Sequence, residues 1–317
     1  MNHVRFVLPL VFVFFGCSTT QKSPTHVLEV GVDVRNDIAV IEPKSGDEFD
    51  WAWLLGQIAE ADIVLLGEQH DHVVGHAVQL AVIEDSLDVF PKSVVAFEML
   101  ERDEQSRVDD YMDGVIDAAA FATLTHSTNW AGQDTWSAWY QPIIDATKCR
   151  GGSVIAANAP RRYVKLARTG GFERIDLLPQ TRRELVDYPK KLSSGRYRER
   201  FWELADHGEE GEEKAEIEVD TIDDDDPLLP MFRSQQTWDA TMAQSIASVM
   251  ESGEFKKTFL IVGQFHVEYD GGVVQELRKR APDSKVFSIS IQRHLPEEEW
   301  QGKPPIADAM VVENLNK

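Results

Sequence analysis

The sequence predicts an α/β fold, with a mainly parallel sheet flanked by helices and a large helical insertion forming a cap. Three observations carry this. Short apolar runs recur at 63–66, 94–97, 154–157 and 259–262 without the polar alternation of a sheet wetted on one face, and a further strand is expected at 286–291. Stretches with helical spacing separate them, the order expected of parallel strands joined by crossovers. Two of the runs also end alike. Ile63-Val64-Leu65-Leu66 leads into Gly67-Glu68-Gln69-His70, and Phe259-Leu260-Ile261-Val262 leads into Gly263-Gln264-Phe265-His266. Ligands of open α/β sheets bind beyond the carboxyl ends of the strands, so these two histidines are expected to meet in one crevice.

The elements follow in order. Residues 1–16 read as a signal peptide: Arg5 supplies a positive start, and 6–15 is apolar apart from Pro9 but too short to span a bilayer. Gly16-Cys17 ahead of a polar stretch predicts a lipid-modified Cys17 and so a membrane anchor outside the cytoplasm. A tether over 17–48 is expected to lead into one α/β domain, 49–317. Helical spacing marks 75–87 (Ala77, Leu80, Ala81, Ile83, Leu87), then 103–112, 118–124 and 135–148, up to the break at Gly151-Gly152. Between 160 and 205 helical segments are interrupted at Gly170-Gly171, Pro179 and Pro189. Helices are expected again at 228–251 and 272–280, and an edge strand at 307–312. The inserted helices of 103–148 and 160–251 are expected to build the cap.

Composition narrows the function. A formal net charge of −22 argues against nucleic acid, whose phosphates need a basic footprint. Part of that charge is local: 206–226 holds twelve acids against one lysine. Such a block reads as a solvated loop, and it lacks the ligand spacing of an EF-hand. With Cys17 lipidated, Cys149 has no disulfide partner and is expected to be a small buried apolar residue.

Polar residues follow directly on the strands: Glu68 and His70, Glu98, Asn158 with Arg161 and Arg162, and His266. A carboxylate that ends an apolar strand is costly to bury without a partner. Two carboxylates and two imidazoles at one sheet edge can hold a divalent metal, through Glu68, His70 and His266, or a water for general-base attack. Arg161 could clamp a carboxylate or an oxyanion. His72 and His76 stand four apart but lack the intervening glutamate of a metal-binding helix, so solvated or core histidines are expected there. The ring-dense stretch 130–140 suits a flat apolar ligand such as a porphyrin, with Tyr140 offering a phenolate to ferric iron.

Five blocks carry a resemblance: ADIVLLGEQHDHVVGHAVQL (61–80), FEMLERDEQ (97–105), VIAANAPRR (154–162), QQTWDATMAQSI (235–246) and LIVGQFHVEYDGGVVQEL (260–277). In this order they resemble the ChaN-type haem-binding lipoproteins of the Tiki/TraB/erythromycin-esterase-like superfamily. The resemblance implies an α/β fold, a lipoprotein of the bacterial outer membrane facing the periplasm, and a role in haem or iron uptake. It also implies a homodimer that holds haem between subunits through tyrosine and histidine; His266 is a candidate, and Tyr140 and Tyr269 are candidates by position and chemistry rather than by motif. The wider superfamily implies an alternative, a metal-dependent hydrolase or peptidase. Its motif residues match Glu68, His70, Glu98 and His266, with Arg161 in the NAPR block. The bland reading is a structural lipoprotein whose polar sheet edge does nothing.

Overall fold

The computed structural model describes residues 32–125, 132, 135–205, 225–297 and 299–314. The expected signal peptide, Cys17 and most of the acidic loop lie outside them. The chain runs β1 (Ala39–Glu42), β2 (Asp47–Phe49), α1 (Trp51–Glu60), β3 (Ile63–Glu68), α2 (Val73–Val89), β4 (Ser93–Glu101), α3 (Gln105–Met112) and α4 (Ala118–Thr125). It continues with α5 (Gln141–Cys149), β5 (Ser153–Asn158), α6 (Arg161–Gly170), the short α7 (Glu173–Asp176) and α8 (Gln180–Arg183), then α9 (Arg196–Ala205) and α10 (Leu229–Ser252). Last come β6 (Lys257–Gly263), α11 (Gly272–Arg280), β7 (Val286–His294) and β8 (Ala309–Asn314).

The strands form one sheet in the order β2-β1-β8-β7-β3-β6-β4-β5. From β8 to β5 every neighbouring pair is parallel. The apolar runs are buried on both faces, as their lack of alternation predicts. Val64, Leu66, Val95, Phe97, Phe259 and Ile261 point to one face, against α2 and the α3–α5 helices through Val82, Tyr111, Phe121 and Ile143. Ile63, Leu65, Ala96, Leu260 and Val262 point to the other, against Met242 and Ile246 of α10 and Leu277 of α11. Truncating a leucine or isoleucine among these to alanine costs about 2–5 kcal/mol in a packed core.

Three expectations change. The domain does not start at residue 49: Ala39, Val40 and Ile41 pair antiparallel with β8 and are buried, so the sheet reaches back into the expected tether. The last strand is not an edge strand either, because β1 covers its outer side. Cys149, expected to be buried, is exposed at the end of α5, whose apolar side is filled by Ile143, Ile144 and Ala146 instead.

The inserted helices divide their work. The α3–α5 group is a layer against the sheet face rather than a cap. Capping falls to the second insertion, where Gln235 and Trp238 of α10 reach over the strand ends. The order of the central strands sets up what lies beneath them. β6 sits between β3 and β4, with Glu68 in register with Gly263. The two similar strand ends are therefore next-door neighbours, and Glu98 arrives from the far side of β6.

Candidate functional site

A cavity of about 440 Å³ opens over these strand ends, lined by Glu68, Gln69, His70, Glu98, Gln235, Trp238 and residues 263–266. Gly263 permits the close approach: a Cβ there would stand 3.1 Å from the His70 ring and 3.4 Å from Glu98 Oε2. Glu68, His70, Glu98 and His266 thus come together as the strand-end pattern suggests.

Two imidazole–carboxylate units face each other across this floor. In the first, His70 Nδ1 donates to Glu68 Oε1 at 2.8 Å. Glu68 is buried and also accepts from Gln79 Nε2 at 2.8 Å and from the Tyr140 hydroxyl at 2.7 Å. Burial opposes its charge, yet His76, His70 and Tyr140 outweigh that and hold it below its ordinary value. His70 shows 38% of its side chain to solvent. Burial works against its protonation, but the bond to Glu68 and the charge of Glu98 raise its pKa.

In the second unit His266 lies between two buried carboxylates. Its Nδ1 donates to Asp239 Oδ1 at 2.6 Å, and its Nε2 is 3.3 Å from Glu98 Oε1. Against the cost of burial, these two partners lift His266 to about 10. The charge of His266, its hydrogen bond, the charge of His70 and the Gly263 N–H in turn overcome burial at Glu98 and pull it down to about 2. Asp239 is anchored from behind by the Tyr197 hydroxyl of α9 at 2.5 Å. Gly272 makes room for it, since a Cβ there would meet Asp239 Oδ2 at 2.0 Å.

Several expected roles do not survive this geometry. His266 has both ring nitrogens directed at carboxylates, Asp239 and Glu98, which favour its protonated form, so in this arrangement neither nitrogen offers a lone pair to the cavity. Tyr140 lies fully buried behind Glu68, and burial together with that carboxylate raises its phenol well above the ordinary range. A phenolate ligand is therefore not available there. Tyr269 is buried in a separate cluster with Ile41, Ile306 and Met310, beneath the Arg200 guanidinium at 4.4 Å. Arg161 does not enter the pocket. It starts α6 with 62% of its side chain exposed, its Nε 3.7 Å from Glu101. The metal set Glu68, His70 and His266 fails as well: among the described residues no three His, Cys, Asp or Glu side chains are placed to hold a metal ion. His72 and His76 are core residues. His72 pairs with Glu313 at 2.9 Å, and His76 stacks on Trp139.

The family is decided by the match of residues 54–277 to the model described as haem-binding uptake, Tiki superfamily, ChaN. The chain belongs to this family. The matched span runs from α1 to α11 and so contains every site residue named above. Among solved structures, the ChaN of Campylobacter jejuni, described with cofacial haem binding, superposes with a TM-score of 0.63 at 16% identity. That likeness covers 87% of this chain and 97% of the other, and it shows the ChaN fold. The type III effector HopBA1 gives a TM-score of 0.46 at 8% identity, over 89% and 97% of the two chains. A mutant erythromycin esterase, EreC, gives 0.42 at 12%, over 77% and 73%. A search of curated proteins by sequence finds no match.

Relative to the sequence reading, Asp239, Tyr197 and Gln79 are new members of the site. Asp239 had a signal: it is a carboxylate three and seven residues before Met242 and Ile246, on the apolar side of α10. An acid on such a side needs a buried partner.

Proposed function

We propose that this protein binds haem for uptake, with His70 as the imidazole that meets the iron. The observation that carries this reading is the Glu68–His70 bond. A metal-binding histidine nearly always gives its second ring N–H to a carboxylate or carbonyl, which fixes the tautomer and the ring's orientation. His70 has this arrangement at 2.8 Å while its ring remains partly open to the cavity. Trp238 and Phe265 in the cavity lining give a macrocycle apolar surface. Haem would supply an iron centre to be carried rather than a reaction to be run. The fold of the Campylobacter protein supports the same reading, and its cofacial haems favour a homodimer closed over two such cavities. We further propose acylation at Cys17 and residence at the outer membrane, facing the periplasm.

Titration of the purified protein with haemin tests this. A saturable Soret shift is expected, lost in His70→Ala and accompanied by dimerisation in sedimentation. No saturable shift, or one unchanged by His70→Ala, removes the reading. The alternative, a metal-dependent hydrolase with Glu68 or Glu98 as base, has less support: Glu68 is held below its ordinary value, with its oxygens taken by His70, Gln79 and Tyr140. Glu98, the other candidate base, is held at about 2, too weak to draw a proton from water near neutral pH.

A further inference from the structure

Immediately before α5 the backbone has an unusual form. Residues Trp136–Tyr140 make a π-helical turn, closed by the Gln141 N–H donating to the Trp136 carbonyl. Such turns are rare, and they tend to sit where a side chain has to be re-aimed. Two adjacent residues of this turn reach the first strand–Gly–x–x–His unit by separate routes. Tyr140 donates its hydroxyl to Glu68 Oε1, the same oxygen that accepts from His70 Nδ1. Trp139 stacks on His76, with ring centres 4.7 Å apart and planes 16° from parallel. His76 Nε2 in turn lies 3.0 Å from the His70 carbonyl oxygen. The turn therefore contacts the side-chain support of His70 directly and reaches its backbone through His76, from outside the cavity.

We propose that the π-helical turn is the positioning element of His70, with Tyr140 its working residue. Tyr140 shares one carboxylate oxygen with the imidazole N–H, so it sets how much of that oxygen remains for His70. It touches neither ligand nor cavity. Removing the hydroxyl leaves Oε1 of Glu68 to His70, while Gln79 and His76 stay at Oε2, which strengthens the His70 N–H bond and gives the imidazole more anionic character. The inference rests on the reading of His70 as the iron-facing residue, but the relay itself exists without haem.

Tyr140→Phe tests it, with Tyr111→Phe as the control. Tyr111 also donates to a carboxylate, Asp145 at 2.5 Å, but on the α3–α5 layer away from the cavity. In the haem-free protein the His70 Nδ1–H proton resonance is expected to move downfield in Tyr140→Phe and to stay in place in Tyr111→Phe. In the haem-loaded protein the iron–histidine stretching frequency is expected to rise in Tyr140→Phe alone, with haemin affinity changed about tenfold, the lower end for a ligand's supporting residue. An unmoved His70 resonance in Tyr140→Phe, with loss of stability like that of Tyr111→Phe, would show Tyr140 to be core filling and overturn the proposal. A moved resonance in a protein that binds no haemin would remove the haem reading and leave the relay standing.

Discussion

Glu98 joins both ends of the second strand–Gly–x–x–His unit. Its Oε1 lies 3.3 Å from His266 Nε2, and its Oε2 accepts the Gly263 N–H at 2.6 Å. One carboxylate from β4 thus fixes the glycine that ends β6 and the histidine three residues later.

The first prediction is a pH profile of stability. Glu98 is lowered from 4.5 to about 2, so its contribution is complete above 4.5 and is lost as pH falls through about 2. His266 is raised from 6.5 to about 10, so its contribution is complete below 6.5 and is lost as pH rises through about 10. Melting temperature should therefore decline on both sides of a plateau between 4.5 and 6.5. His266→Gln should lose the part of the alkaline limb that lies between 6.5 and 10; an unchanged limb would show that other groups cause it.

His266→Ala should be strongly destabilising. It strands Glu98 and Asp239 as buried carboxylates without their shared cation, a loss on the order of 3–5 kcal/mol for a broken buried pair. Urea unfolding should show a lower midpoint with the slope unchanged. A change below about 1 kcal/mol would mean that water replaces the ring.

Gly263→Ala should separate binding from stability. The added methyl meets the His70 ring at 3.1 Å, and His70, partly open to the cavity, can yield by tilting. Haemin affinity should fall about tenfold, equivalent to about 1.4 kcal/mol, while the melting temperature changes little. Unchanged affinity would count against His70 as the iron-facing residue.

Arg161→Ala should be silent. An exposed ion pair at 3.7 Å contributes about 0–1 kcal/mol, and the side chain lies outside the cavity lining. Haemin titration and thermal melts of the variant should overlay those of the parent.

Cys17→Ser tests the anchor. Mass spectrometry of the parent's N-terminus should find an acylated Cys17, and the variant should move from the membrane fraction to the soluble one. Retention of Cys17→Ser in the membrane would assign attachment to another segment.

How much of this was legible in the sequence follows from what each residue depends on. The parallel core was, because strands buried on both faces need runs such as IVLL and FLIV that no half-wetted strand tolerates. Glu68, His70, Glu98 and His266 were too, since strand ends in such sheets converge. Asp239 and Tyr197 were hidden, because their role depends on how α9 and α10 are laid across the sheet, which no local pattern encodes. Tyr140 was visible but misread. A tyrosine beside tryptophans offers a ligand or a buried donor equally well, and only the position of Glu68 decides between them. Ala39–Ile41 read only as strand-like residues in a tether, because their place in the sheet depends on β8, which begins only at Ala309.

The place of β6 between β3 and β4 bears on the order in which the molecule can be made. Residues 63–68 and 93–101 are synthesised early, yet they are held side by side only through a strand that begins at Lys257. A nascent chain that stops short of it carries Glu68, His70 and Glu98 with no common floor between them. Such distant pairing is slow, since a long loop must close before any contact rewards it. The cavity floor is then acquired only once the chain has passed His266, and a fragment ending before Gly263 carries Glu68, His70 and Glu98 without it.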